Sequence, residues 1–288
     1  VSTAAPAILA RRTTTAWAAL RETGPIGLLS AGVIAVAVLV TIFGPLIAPH
    51  DPYVGQLANS YFGPEPGYLL GFDAQGRDVV SRLLVGARTS MVGPFVVVVL
   101  CVTVGTLLAV WTAWKRGTVD AVVSSGLDIL FAFPGILLAI LATAVFGKGL
   151  TAATIALAAA YTPYVARVLR GAALRERSLL YIAALEVQGA SPLGICFRHL
   201  IPNIVPLILA QATTLFGYAM VDLAAISFLS LGVQPPYPDW GVMVSENASG
   251  VVQGYPLAAL SAGVCIVLVV IATSLLGQRL HEHAEGRR

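Results

Sequence analysis

Arg167-Val-Leu-Arg-Gly-Ala-Ala-Leu-Arg-Glu-Arg-Ser-Leu-Leu-Tyr-Ile-Ala-Ala-Leu-Glu-Val-Gln-Gly-Ala-Ser-Pro-Leu-Gly-Ile-Cys-Phe-Arg-His-Leu-Ile-Pro-Asn203 is a charged, helix-forming island between long apolar runs. Ser178 to Gln188 reads as a helix, and Gly189 stands where a left-handed C-cap ends one. Ser191 followed by Pro192 is an N-cap and a first-turn proline. The second helix is expected to run to about His199 and to stop before Pro202, because the residue ahead of a proline avoids the helical region. Two short helices with a glycine elbow form a knob between apolar spans, a shape suited to being gripped by another protein.

The flanks settle what the island is embedded in. Of 288 residues, 57% are hydrophobic and 11% charged, against roughly 25% charged in an ordinary soluble domain. Such a chain cannot cover itself with charge in water, so lipid is its solvent. Apolar runs at about 25–48, 89–113, 126–147, 149–168, 204–224 and 255–277 each suit a crossing, since about twenty residues at about 1.5 Å rise cross roughly 30 Å of hydrocarbon. Pro45 is expected to bend or end the first span, Pro134 to kink the third, and Pro163 lies near the end of the fourth. The fold class is therefore all-α, a polytopic membrane protein with six transmembrane helices. The chain divides into an N-terminal segment 1–24, a first span 25–48, an outer loop 49–88, a core 89–280 carrying five more spans and the charged island 170–203, and a tail 281–288. Within the outer loop, Asp78 to Ala87 reads as a short interfacial helix. Residues 225–240 are too short and broken to cross and read as a re-entrant or interfacial half-helix.

Orientation follows the basic residues near span ends. Arg11, Arg12, Arg21, Lys115, Arg116, Arg167, Arg170, Arg175, Arg177, Arg198, Arg279, Arg287 and Arg288 fall on one side, against Arg77, Arg82, Arg88 and Lys148 on the other. Both termini and the island are thus expected in the cytoplasm, in a plasma or inner membrane. The first apolar span is too long for a cleaved leader and is read as retained. Cys101, Cys196 and Cys265 lie outside the outer segments, so no extracytoplasmic disulfide is expected. No basic run interleaves with aromatics, which leaves nucleic-acid binding unsupported.

Intrinsic chemistry is sparse. Gly71 to Asp78 has the glycine spacing of a phosphate loop but lacks the lysine and hydroxyl that hold nucleotide and magnesium, and reads as a tight turn. His281 and His283 make a weak pair, His50 is alone at a helix end, and His199 beside Arg198 suits a cap or a partner contact. No metal or cofactor is expected on the chain. Asp120 and Asp128 are expected to cap or to pair with Lys115 and Arg116. Asp222 either faces a cavity on a translocation path or is paired within the bundle. Small residues, among them Ala210, Ala212, Gly217, Ala219, Ala224 and Ala225, either line a passage or let helices approach closely. The chain reads as a helical pore-former without its own engine.

Four stretches carry a resemblance over residues 25–280. They are Leu70 through Gly86-Ala-Arg88-Thr-Ser, Asp128-Ile-Leu-Phe-Ala-Phe-Pro134, Tyr181 through Pro202-Asn203, and Ser227 through Pro236 with Asp239-Trp240-Gly241. The chain resembles the inner-membrane permease subunits of ABC importers for dipeptides, oligopeptides and nickel. The resemblance implies the type I importer fold, with residues 170–203 as a coupling loop between spans four and five. ATPase contacts are then expected from Arg175, Glu176, Arg177, Tyr181, Ala183, Ala184, Leu185, Glu186, Gly189, Ala190, Ser191, Arg198 and Pro202. The family pattern opens with a glutamate where this chain has Ala183, so other polar groups must serve at that interface. The resemblance further implies a second, homologous permease, two cytoplasmic ATPase subunits that hold ATP and Mg, and an extracytoplasmic substrate-binding protein docked on the outer loop near Asp73, Arg77 and Asp78. Asp222 and Gly217 are the candidates for the path. Di- or oligopeptides are the expected cargo, with nickel or another small solute as the alternative within the family. A carrier or channel that works alone is the alternative outside it.

Overall fold

The computed structural model describes residues 24–286, so the expectations placed on Arg11, Arg12, Arg21, Arg287 and Arg288 lie outside the described residues. Among those residues the regular structure is helical, with only isolated bridges at Glu65–Tyr68 and Phe72–Asp78. Five helices are long and apolar enough to cross a membrane: α1 (Gly24–Ile47), α2 (Val79–Lys115), α5 (Leu150–Arg177), α7 (Pro192–Phe228) and α10 (Leu257–Gly286). A bent pair, α3 (Gly117–Phe131) and α4 (Gly135–Phe146), which meet at 79°, passes the same length and composition test only when taken together, as a broken span or a re-entrant loop. The kink expected at Pro134 is thus a full break. The ring removes one backbone donor, and Ala132 and Phe133 form the turn ahead of it. The short helices α6 (Leu180–Val187), α8 (Trp240–Glu246) and α9 (Ala248–Val252) complete the chain.

α2, α5, α7 and α10 form the centre, and α2 packs most extensively on α5. Small residues allow that approach. A Cβ at Gly105 would lie 2.7 Å from Val165 Cγ1, and one at Gly44 would lie 2.2 Å from the Leu84 carbonyl oxygen. The core between the helices is built largely of alanine, valine and leucine, such as Ala109, Val165 and Leu169. Many large apolar side chains remain exposed, Leu46, Val122 and Phe146 among them, as expected where lipid or a partner subunit is the surrounding medium.

Four expected boundaries move. The interfacial helix read at Asp78–Ala87 is the start of α2, without a break. Asp78 caps it by accepting from the Val80 and Ser81 amides, and 37 residues at about 1.5 Å rise carry it well past the hydrocarbon. α5 likewise runs on to Arg177, so the first part of the charged island is the end of a span. The second short helix does not stop before Pro202 but continues as α7. Residues Cys196–Leu200 form a π turn, in which the Ile201 amide donates to the Cys196 carbonyl five residues back. That wider turn gives the Pro202 ring room where an ordinary α turn would clash. Residues 225–228 finish α7, and the short helices lie later, at α8 and α9.

Candidate functional site

The island folds around Gly189. Its φ of +80 makes it the left-handed C′ residue of α6. The Ala190 amide donates to the Leu185 carbonyl and the Gly189 amide to that of Glu186, the paired bonds of a Schellman turn. Ser191 then caps α7, its Oγ accepting from the Gly194 amide at 3.1 Å. The elbow is therefore a rigid, hydrogen-bonded corner. Ile182 and Ile195 are buried beneath it, whereas Leu180 and Val187 are each 89% exposed and Leu193 71%. Phe197, Ala183, Ala184 and Ala190 join them on the open surface. Sequence reading missed this leucine–valine–phenylalanine face, because a lone apolar residue in a short helix does not reveal which side it takes.

The charged residues of the island divide. Arg175 and Arg198 are exposed, and Glu186 is open at its rim, 4.0 Å from Arg177. Glu176 turns inward. It accepts from the Tyr181 hydroxyl at 2.6 Å and from Asn203 Nδ2 at 2.5 Å, tying the end of α5 to α6 and α7. Arg177 also turns inward, donating to the carbonyls of Ala113 and Trp114 and stacking 4.4 Å from the Trp114 ring centroid. It caps the C-terminal end of α2, where a cation suits the helix dipole. These two residues are structural ties rather than open contacts. Leu185 and Pro202 are half-buried at the base of the elbow, and His199 meets the Tyr181 ring edge-on.

At the opposite end, Asp73, Arg77 and Asp78 do not offer a docking surface, because all three are buried. Gly71 and Gly76, both at φ +68, form the tight turn, and a Cβ at Gly76 would lie 1.9 Å from the Gln56 carbonyl oxygen. The turn folds Arg77 back onto Asp73 at 2.7 Å. Arg77 and Arg82 both reach Glu246 of α8, at 2.9 and 2.7 Å, and Arg82 lies 3.3 Å from Asp73. Asn247 accepts from the Ala74 amide at 2.9 Å. Asp78 holds His50 at 3.2 Å, and the His50 ring stacks on Tyr68, so His50 is not alone. Two cations and two carboxylates from distant parts of the chain thus neutralise one another inside a cap at the end of the bundle opposite the elbow, as buried charges must. Nothing local in the sequence pointed to Glu246.

The path candidates also resolve. Asp222 accepts from the Tyr161 hydroxyl at 2.7 Å, joining α7 to α5. Gly217 is buried against α10, where a Cβ would lie 3.1 Å from Thr273 Oγ1. It is a helix-contact glycine, not a lining residue. Asp120 and Asp128 pair with Arg170 and Arg167 of α5, not with Lys115 and Arg116.

The family described as binding-protein-dependent transport system inner membrane component matches residues 76–287, and the N-terminal TM domain of oligopeptide transport permease C matches residues 15–64. The glutathione transport system permease protein GsiD of Pectobacterium atrosepticum is 34% identical over 252 residues, covering 85% of this chain and 81% of that protein. GsiD of Escherichia coli O157:H7 is 36% identical over the same length and coverage. The dipeptide transport system permease protein DppC of Haemophilus influenzae is 33% identical over 255 residues, covering 86% of each.

Proposed function

Because the chain belongs to the family of binding-protein-dependent transport system inner membrane components, we propose that it is the non-catalytic, membrane-embedded subunit of an importer for di- or oligopeptides, driven through the elbow at Gly189. The observation that carries this reading is the exposed apolar face of Leu180, Val187, Leu193 and Phe197 on a rigid corner. Large apolar groups so far exposed mark a partner surface, and the flanking Arg175, Glu186 and Arg198 supply a polar rim. The occupant is a cytoplasmic ATPase that carries ATP and Mg. The exposed polar rim takes over where Ala183 leaves out the family's glutamate. Closure of two ATPases around nucleotide moves the elbow, and the unbroken α7 carries that motion across the bundle.

The same reading supplies a second homologous permease against the open faces of α3 and α4. It also supplies an extracytoplasmic binding protein on the outer cap, which the buried cluster holds in shape. Both termini and the elbow face the cytoplasm. A peptide cargo is supported by relatives named for glutathione and dipeptide transport. The test is reconstitution of the complex in vesicles. ATP-dependent peptide uptake is expected, and Val187→Asp should abolish co-purification of the ATPases without preventing membrane insertion. Unchanged assembly and uptake in that variant overturn the coupling assignment.

A further inference from the structure

A cavity of 470 Å³ opens between α2, α3 and α5, toward the end of the bundle that bears the elbow. Thr112, Ser124, Asp128, Pro163, Arg167 and Arg170 line it. On α3, Asp120, Ser124 and Asp128 recur every four residues and form one polar stripe. Ser124 reaches Asp120 at 3.4 Å, and both carboxylates meet arginines of α5. Val122 and Ile129, on other faces of the same helix, are exposed and apolar. α5 is long and apolar enough to cross a membrane, and α3 passes that test together with α4. Charged groups within crossings face a bundle interior or a water-filled cavity, not lipid.

The two ion pairs are not equivalent. Arg170 binds both oxygens of Asp120, whose side chain is only 16% exposed. That pair braces α3 against α5. Arg167 meets Asp128 through one oxygen, and the two side chains are 57% and 62% exposed toward the opening. An open, single-contact pair adds little to folding and gives up its partner readily.

We propose that this cavity is part of the aqueous route and that Asp128 and Arg167 form a subsite for the two ends of a zwitterionic peptide. Asp128 takes the α-ammonium group. Arg167, whose planar fork matches a carboxylate, takes the C-terminal carboxylate. The peptide replaces the internal pair with two pairs of the same kind, so charge remains balanced during passage. The volume falls within the range of small-ligand sites. This deepens the proposed importer reading and rests on it. It also moves the path from Asp222 and Gly217 to the α3–α5 face.

The experiment uses the assembled transporter in inverted membrane vesicles and a charged, membrane-impermeant methanethiosulfonate, with the unsubstituted complex as background control. Ser124→Cys is expected to react at least tenfold faster than Val122→Cys. Millimolar Ala-Ala should slow the reaction at least threefold, whereas N-acetyl-Ala-Ala-amide should not. Asp128→Asn in the Ser124→Cys background should remove the protection, and the Arg170–Asp120 brace keeps α3 in place in that variant. Equal, slow labelling at positions 122 and 124 overturns the aqueous route. Fast labelling with no difference between free and blocked peptide overturns the zwitterion subsite, and the Ser124→Cys protein alone decides that should the double variant not assemble. Failure of ATP-dependent uptake despite the expected labelling pattern instead counts against the importer reading.

Discussion

The two ends of the bundle use charge in opposite ways. In the cap opposite the elbow, Asp73, Arg77 and Arg82 are buried; the two arginines pair with Asp73 nearby and with Glu246 from more than 150 residues away. At the elbow, Arg175 and Arg198 are exposed, and so are Leu180 and Val187. The cap's charged groups are spent mainly on one another. The elbow leaves large apolar side chains uncovered, the surface proposed above for a partner. A motif of charged residues therefore marks architecture in the first place and the proposed interface in the second. Burial decides between the two, and composition does not.

The contrast breaks most visibly at Arg82, which is fully buried. Arg82→Gln leaves Glu246 and Asp73 with one cation between them, a change that costs about 3–5 kcal/mol where a buried ion pair loses one partner. A thermal unfolding midpoint lowered by many degrees in detergent is expected. A shift within error shows that the cap is not held by its charges. Arg177 sharpens the comparison, because it sits at the elbow end yet behaves like a cap residue. Arg177→Ala removes charge-assisted bonds to Ala113 and Trp114, worth about 1.5–3 kcal/mol each at most. It should lower stability with little direct effect on ATPase contact, whereas Arg198→Ala should do the reverse. Equal losses of stability in the two variants erase the distinction. A smaller effect is expected at Gly189, where a Cβ meets nothing within 4 Å. Gly189→Ala costs only the left-handed backbone, about 1–2 kcal/mol. It should fall on the elbow alone, seen as faster amide exchange at residues 180–195 with the spans unchanged.

How much of this was legible in the sequence follows from the same contrast. Apolar run length located the five unbroken helices long enough to cross a membrane, because hydrocarbon thickness sets it; the run read at 126–147 falls instead on the bent pair α3 and α4. Gly189 and Ser191 located the elbow, because left-handed backbone and N-capping are local demands. Span ends were misplaced because helices do not stop at the lipid surface. α5 carries Arg167 and Arg170 onward to Arg177, and α2 begins at Val79. The stop expected at Pro202 failed because a π turn absorbs the ring. The pairing of Asp120 with Arg170 rather than Lys115 joins residues 50 apart in sequence, and the Arg82–Glu246 pair spans 164. Such contacts exist only once the helices are packed. Glu176 and Arg177 read as open contacts for the same reason, since their partners lie on other helices.

The smallest expected effect concerns Asp239, the buried cap of α8. Its carboxylate accepts from the Gly241 and Val242 amides at 3.0 and 3.3 Å and from Ser90 Oγ at 2.7 Å. Burial pushes this carboxyl above the usual carboxylate range, and the hydrogen bonds from Ser90, Val242 and Gly241 pull the other way without cancelling it. A raised value in the folded state means that the folded protein holds the proton more tightly than the unfolded chain. The contribution is then fully present below the ordinary carboxylate value and is lost as pH rises through the raised one. Asp239→Asn keeps an N-cap acceptor and removes the ionisation. The variant should match the parent protein in unfolding midpoint near pH 4 and exceed it by a small margin at pH 8. A parent protein that gains on the variant as pH rises shows instead that the two amides and Ser90 outweigh burial, placing Asp239 with the satisfied carboxylates of the cap.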